Sequence, residues 1–316
     1  MRWPIVRAVW LGLLGGCGGS SDPQPEQAST STTSPSATAS TAVVDESGTG
    51  STAMPCNGHV ELCDRPFDEV VFAGTHNSHS ALDEGFPVLN ANQEHGISRQ
   101  LSDGIRVMLI DVYPDADDPD TVVMCHGPCG LASTPHVDGL TEIVEFLQDN
   151  PREVVTIIYE DHVAVDQIAA DFATTGADAL TFAHPSGDPW PSLGAMIDAN
   201  TRLVVTGESG GPPPAWFHHV WDEAWDTPYG PMQAEDLSCD LNRGSSDHAL
   251  FLMNHWVNDE LGLPSMDNAA AVNVAAVLQA RADDCAAQWT HVPNFVVVDF
   301  YEQGDLFAVV DALNGV

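Results

Sequence analysis

Two histidines each follow a short apolar, β-branched run: His76 after Val70-Val71-Phe72-Ala73, and His126 after Val122-Val123-Met124. Other runs of this kind stop on oxygen-bearing side chains. Val107-Met108-Leu109-Ile110 stops at Asp111, Val154 to Ile158 leads to Glu160-Asp161-His162, and Leu203-Val204-Val205 leads to Glu208. Leu250 to Met253 ends at Asn254-His255, and Phe295 to Val298 at Asp299 and Tyr301. Imidazole can take or give a proton near neutral pH. Asn77, Asp111 and Glu160 are hard oxygen donors, and clustered carboxylates repel unless a cation joins them. Such a set suits Ca²⁺, with Mg²⁺ second. Paired histidines beside a hard cation suit phosphodiester cleavage, where charge builds on the phosphate oxygens. Glu208, His255, Asp299 and Tyr301 are the candidates for substrate contact. No run ends on Lys or Arg, so the metal would have to hold the phosphate. Arg106 starts its run, should face the opposite end, and reads as structural. Taken singly, each polar residue is most simply a loop residue or a cap; several similar strand ends are harder to dismiss.

The runs must be elements that converge. Seven read as strands, and Leu180-Thr181-Phe182 is the weak candidate for an eighth. Continuous apolar runs suit strands buried on both faces, as in a parallel sheet. Between them, Leu140 to Leu147 has helical spacing and stops before Asn150-Pro151, and Ala269 to Ala287 is Ala-rich over several turns. Alternating strands and helices over residues 55–316 fit an α/β, TIM-type (β/α)8 barrel, with room for irregularity. There the strand C-termini share one mouth. A doubly wound open sheet is the alternative, but no GxGxxG follows the first strand.

Charge narrows the partners. Nine basic residues, all Arg, stand against 46 acidic ones, for a net charge of −37. Such a field repels nucleic acid. Arg2 and Arg7 precede the short apolar run Ala8 to Leu14, and Leu14-Gly15-Gly16-Cys17 resembles the lipobox of bacterial lipoproteins. That reading makes residues 1–17 a signal segment, Cys17 the lipidated first mature residue, and the protein an exported monomer anchored to a membrane. The Ser/Thr/Pro-rich stretch 18–54 reads as a disordered tether. Six cysteines remain, an even number in an exported chain. Cys56–Cys63, Cys125–Cys129 and Cys239–Cys285 are the simplest pairing; a zinc site is the rival, without any CxxC to support it.

Several stretches together carry a likeness: Gly74-Thr75-His76-Asn77-Ser78, Gln100-Leu101, Gly104 to Asp111, Cys125-His126-Gly127, Tyr159-Glu160-Asp161, Met253-Asn254-His255 and Asn294-Phe295-Val296. From about Cys56 to Asn314 the chain resembles the X region of phosphatidylinositol-specific phospholipase C, and most closely the exported phospholipase-C-like phosphodiesterases. The resemblance implies a TIM-type barrel and cleavage of a phosphatidylinositol-type phospholipid. A hydroxyl beside the phosphodiester attacks phosphorus and expels the lipid alcohol. It makes His126 the general acid and His76 the base or charge stabiliser. It also places Asn77, Asp111 and Glu160 at ligand positions of the calcium-dependent form. One further acidic ligand of that form is Leu109 here, which should weaken the metal site. The lysines that grip extra ring phosphates in cytosolic relatives are absent. A glycerophosphodiester phosphodiesterase and a non-catalytic, lipid-anchored binding protein are the competing readings.

Overall fold

The computed structural model describes residues 54–316; Cys17 and the tether up to Ala53 lie outside the described residues. Ten strands form one sheet: β1 (Phe72–Thr75), β2 (Val107–Pro114), β3 (Val122–Met124), β4 (Thr134–Pro135), β5 (Val155–Asp161), β6 (Leu203–Gly207), β7 (Phe217–His219), β8 (Ala224–Asp226), β9 (Leu250–His255) and β10 (Phe295–Val298). Eight run parallel in the order β7-β6-β5-β2-β1-β10-β9-β8. Seven helices surround them: α1 (Ile97–Asp103), α2 (His136–Asp149), α3 (Val165–Thr175), α4 (Leu193–Asp198), α5 (Met266–Val272), α6 (Ala275–Trp289) and α7 (Leu306–Asn314). This is the expected α/β barrel. It is irregular, because no α-helix separates β6 from β7, β7 from β8 or β8 from β9. The doubly wound alternative is excluded by the strand order.

Three expectations need correction. The run Val122–Met124 is not a barrel strand: β3 pairs antiparallel with β2, as Val112↔Met124 and Pro114↔Val122. The stretch Leu180–Phe182 is not a strand either. A single bridge joins Thr181 to Leu203, and the parallel positions go instead to the short β7 and β8. The long Ala-rich helix is two, α5 and α6.

Side-chain alternation along the strands sorts residues into two apolar layers. Met108 and Ile110 of β2 pack with Leu140 and Ile143 of α2, outside the barrel. Val107 and Leu109 of the same strand pack inward with Phe72, Ile158, Leu252 and Val297. At the inner layer β1 passes very close to its neighbours: a Cβ on Gly74 would meet Val297 at 2.9 Å and Val107 at 3.0 Å, so glycine is required there. Arg106 is structural as expected, bonding Glu153 at 2.9 Å and the Leu101 and Ile105 carbonyls. All three simplest disulfides are present, Cys56–Cys63, Cys125–Cys129 and Cys239–Cys285.

Candidate active site

The inward register reaches the mouth as Asp111 beyond Leu109, Glu160 beyond Ile158, Glu208 beyond Thr206, Asn254 and Trp256 beyond Leu252, and Asp299 beyond Val297. His76, Leu109, Asp111, Ile158, Glu160, Glu208, Tyr229, Arg243, Asn254 and Trp256 line one cleft.

His76 is gripped on two sides. Its Nδ1 lies 2.9 Å from Asp299 Oδ1, and Asn92 Nδ2 donates to Asp299 Oδ2 at 3.0 Å. Its ring stacks on Trp256, centroids 4.0 Å apart and planes 9° from parallel. The buried Asp299 carboxylate is thus engaged by His76 and Asn92, and it does not line the cleft. His126 enters by a different route. The β2–β3 hairpin sends the chain back toward the mouth, and the His126 ring sits 6.4 Å from that of His76. Its Nδ1 bonds the Asn90 carbonyl oxygen at 2.8 Å, and Asn90 Nδ2 donates to the His126 carbonyl at 2.8 Å. Both histidines thus have Nδ1 tied back, so Nε2 is the remaining ring nitrogen of each, and that of His76 lies 3.2 Å from the Asn77 amide. Burial, reinforced by His76, lowers the His126 pKa below the ordinary histidine value.

The oxygen donors are assembled in part. Asn77 holds a left-handed backbone (φ 47°), a conformation asparagine tolerates better than most. One end of its amide lies 2.9 and 3.2 Å from the two Asp111 carboxylate oxygens, and the other lies 3.2 Å from His76 Nε2. With the amide NH₂ toward Asp111 this is a hydrogen bond. With the carbonyl oxygen toward Asp111 it is the side-by-side oxygen pair that a cation requires. Burial, and then the nearby Glu160 and Glu208, push the Asp111 carboxyl well above the usual carboxylate value. Glu160 is held by His162 Nε2 at 2.7 Å, and that ring stacks on Tyr113. Among the described residues, no three His, Cys, Asp or Glu side chains stand at metal-binding spacing. A hard cation would therefore depend on Asn77, and on Glu160, one of whose two carboxylate oxygens is engaged by His162. The donor chemistry fits such an ion, and Leu109 faces the cleft where a further carboxylate would help.

Two further substrate-contact candidates also fall outside the cleft. His255 has the opposite parity to Asn254 and Trp256, so it points away from the mouth. It is fully buried, with Nε2 on the Val272 carbonyl at 3.1 Å and Nδ1 accepting from Arg281 at 3.1 Å. Burial, with Arg281 beside it, lowers its pKa to about 3. Tyr301 is turned aside by the left-handed Phe300 (φ 46°); its hydroxyl donates to Asp103 at 2.8 Å and its ring packs against Phe307. Glu208 does line the cleft.

Arg243 is the residue that strand ends could not reveal. It comes from the β8–β9 loop, where Gly244 (φ 76°) presses against Ala224 too closely for any Cβ. Its guanidinium bonds Glu208 at 2.7 Å and Asp226 at 2.6 Å, and lies 4.2 Å over Trp221 and 5.0 Å over Tyr229. The mouth therefore does contain one cation. Two carboxylates already neutralise it.

Comparison with known proteins gives one consistent result. The family model described as PI-PLC X 1 matches residues 62–314. The PI-PLC X domain-containing protein 1 of Arthroderma benhamiae is 30% identical over 280 residues, covering 82% of this chain and 89% of its own. A PI-PLC X domain-containing protein of Arabidopsis thaliana is 30% identical over 278 residues, 79% of this chain and 63% of its own length. An uncharacterized secreted protein of A. benhamiae is 26% identical over 295 residues, 83% and 64%. Among solved structures, a phosphatidylinositol-specific phospholipase C of Staphylococcus aureus superposes with TM-score 0.56 at 12% identity, over 79% of this chain and 94% of that one. That likeness concerns the fold.

Proposed function

The chain belongs to the PI-PLC X family, and from that premise we propose that it is a phospholipase-C-type phosphodiesterase in which His76 and His126 move the protons. The observation that supports this most is the pair of rings 6.4 Å apart across one mouth, each with its Nδ1 tethered. A hydroxyl adjacent to the phosphodiester attacks phosphorus. His76 takes its proton or steadies the charge that develops, with Asp299 compensating an imidazolium. His126 gives a proton to the departing lipid alcohol, leaving a cyclic phosphate. Asn77, Asp111 and Glu160 would hold Ca²⁺ or Mg²⁺, which supplies charge neutralisation at the phosphoryl oxygens. Arg243, neutralised by Glu208 and Asp226, is poorly suited to a ring phosphate, and the chain has no Lys. The reading therefore favours an unphosphorylated phosphatidylinositol-type substrate. Leu109 in the cleft supports one rival, a lipid-anchored barrel without turnover. Incubation with phosphatidylinositol, a glycosylated derivative and a glycerophosphodiester, with and without Ca²⁺, separates the readings. Release of diacylglycerol is expected; intact substrate throughout would leave the binding reading.

The pH profile carries a signed prediction. A general acid must be protonated to act, and kcat/KM reports the free enzyme. The His126 pKa is lowered in the free protein, so kcat/KM should fall with rising pH below the ordinary histidine range. A bound phosphodiester anion raises that pKa, so the falling limb of kcat should lie at higher pH. Coincident limbs would remove His126 from the acid role.

We further propose that the protein is exported and anchored through acylated Cys17, in line with one secreted relative. Intact mass of the protein from its native host should show acyl chains on an N-terminal Cys17. A mature form cut elsewhere would refute the anchor.

A further inference from the structure

Asn92, on the loop after β1, touches both the Asp299 carboxylate and the Asn77 amide. It is 1% exposed, and those two neighbours are each 2% exposed, so water does not replace a lost bond there. Its main chain is pinned on both sides. The Asn92 amide donates to the Ser80 carbonyl at 2.9 Å, and its carbonyl accepts from the Phe300 N–H at 2.8 Å. Its Nδ2 donates to Asp299 Oδ2 at 3.0 Å, and its Oδ1 lies 3.2 Å from the near end of the Asn77 amide.

The polarity of these contacts runs one way. Asp299 presents oxygen, so Asn92 turns its NH₂ there; the reverse would set two buried oxygens 3.0 Å apart. Asn92 Oδ1 is then left facing Asn77, and an amide oxygen can only accept. The near end of the Asn77 amide is therefore its NH₂. The far end, 2.9 and 3.2 Å from the two Asp111 carboxylate oxygens, is its carbonyl oxygen. His76 agrees with this assignment. With its Nδ1–H on Asp299, its Nε2 carries a lone pair, and the Asn77 NH₂ lies 3.2 Å away to donate to it. Turning Asn77 over would gain Asp111 as an acceptor but press its oxygen against Asn92 Oδ1 at 3.2 Å.

We propose that Asn92 is a positioning residue: anchored on Asp299, it fixes the Asn77 amide with its carbonyl oxygen on Asp111. The resulting oxygen contact is one that only a shared proton or a cation closes. Asp299 thus holds the His76 imidazole through one oxygen and sets the Asn77 dipole through the other. The proposal rests on the cation part of the phosphodiesterase reading, but the orientation itself is read without metal.

Neutron diffraction from deuterium-exchanged crystals of chelator-treated protein distinguishes ND₂ from oxygen. The Asn77 ND₂ should face Asn92 and its oxygen should face Asp111; the reverse overturns the proposal. Calorimetric titration with Ca²⁺ tests the consequence. Asn92→Ala should raise the Ca²⁺ dissociation constant about tenfold, the scale of one lost hydrogen bond. Asn77→Ala should raise it at least as much. The double variant should bind no more weakly than Asn77→Ala, because Asn92 acts only through Asn77. Asn92→Ser, equally unable to span from Asp299 to Asn77, takes its place if melting curves show the alanine variant unfolded. An unchanged constant in the Asn92 variant overturns the proposal, and so does a further tenfold loss in the double variant. The expected orientation in a chain that binds no Ca²⁺ keeps the orienting role of Asn92 and defeats the cation reading; Ca²⁺ binding that the Asn92 variant leaves unchanged does the reverse.

Discussion

His126→Ala is expected to lower kcat on a phosphatidylinositol-type substrate by about 10²-fold or more, and His76→Ala by a similar factor, since general acid–base groups contribute on that scale. The two variants should differ in stability. The His126 ring makes one hydrogen bond, to the Asn90 carbonyl, and the return bond from Asn90 goes to the His126 main chain, which alanine keeps. Its melting temperature should hardly move. His76→Ala removes a ring stacked on Trp256 and leaves the buried Asp299 carboxylate with only the Asn92 donor on its oxygens. An under-satisfied buried carboxylate costs about 1–3 kcal/mol or more, so this variant should melt lower while still folding. Asp299→Asn separates orientation from chemistry. It keeps the shape but cannot hold an imidazolium, so kcat should drop with KM nearly unchanged. Turnover numbers and melting curves for the three variants check this. Near-full activity in either alanine variant would sink the two-histidine mechanism.

How far the site was legible follows from strand periodicity. Asp111, Glu160 and Glu208 were identifiable because each continues an inward-facing alternation set by Leu109, Ile158 and Thr206, and a parallel sheet delivers all of them to one mouth. Strand-end position alone picked His255, whereas Asn254 and Trp256 are the residues whose parity faces the cleft. Sequence shows that a strand ends near 255 but not which parity faces in. Tyr301 has the right parity and still leaves the cleft, because Phe300 takes a left-handed turn that no local motif announces. His126 was found for the wrong reason: its run is an antiparallel return strand, and β3 is too short to reveal direction. Arg243 and Asn90 lay beyond strand-end reasoning. Each reaches the site from a loop, and the contacts that fix it, Asp226 and the His126 main chain, are distant in sequence or carry no side-chain signal. The barrel itself was readable because six of the seven apolar runs of strand length are its parallel strands, whereas the short β7 and β8 leave too few residues to make a pattern.

Exhaustive chelation is expected to abolish turnover, with Ca²⁺ restoring it and Mg²⁺ doing so less well, and Asp111→Ala should lose the response to either ion. The argument is electrostatic. A phosphodiester brought to this mouth meets Asp111, Glu160 and Glu208, and Arg243 is already committed to Glu208 and Asp226. At about 4 Å and an effective dielectric near 20, each like-charge contact costs on the order of 4 kcal/mol, and a single divalent ion reverses the sign of all of them. Burial first, and then this crowding by Glu160 and Glu208, raises the Asp111 pKa in the protein alone. A cation binds the ionised carboxylate, so its apparent affinity should rise with pH as Asp111 loses its proton. Two features make that affinity modest. Leu109 contributes no oxygen, and His162 competes for one of the two Glu160 oxygens. His162→Ala removes this competition, and so should lower the Ca²⁺ concentration for half-maximal turnover without altering the maximal rate. Leu109→Asp should lower it further by adding an oxygen ligand. Full activity in chelator, together with an unimpaired Asp111→Ala variant, would show that the two histidines and Arg243 handle the phosphate without metal. Asp111 would then be a buried carboxyl whose partner is the Asn77 amide.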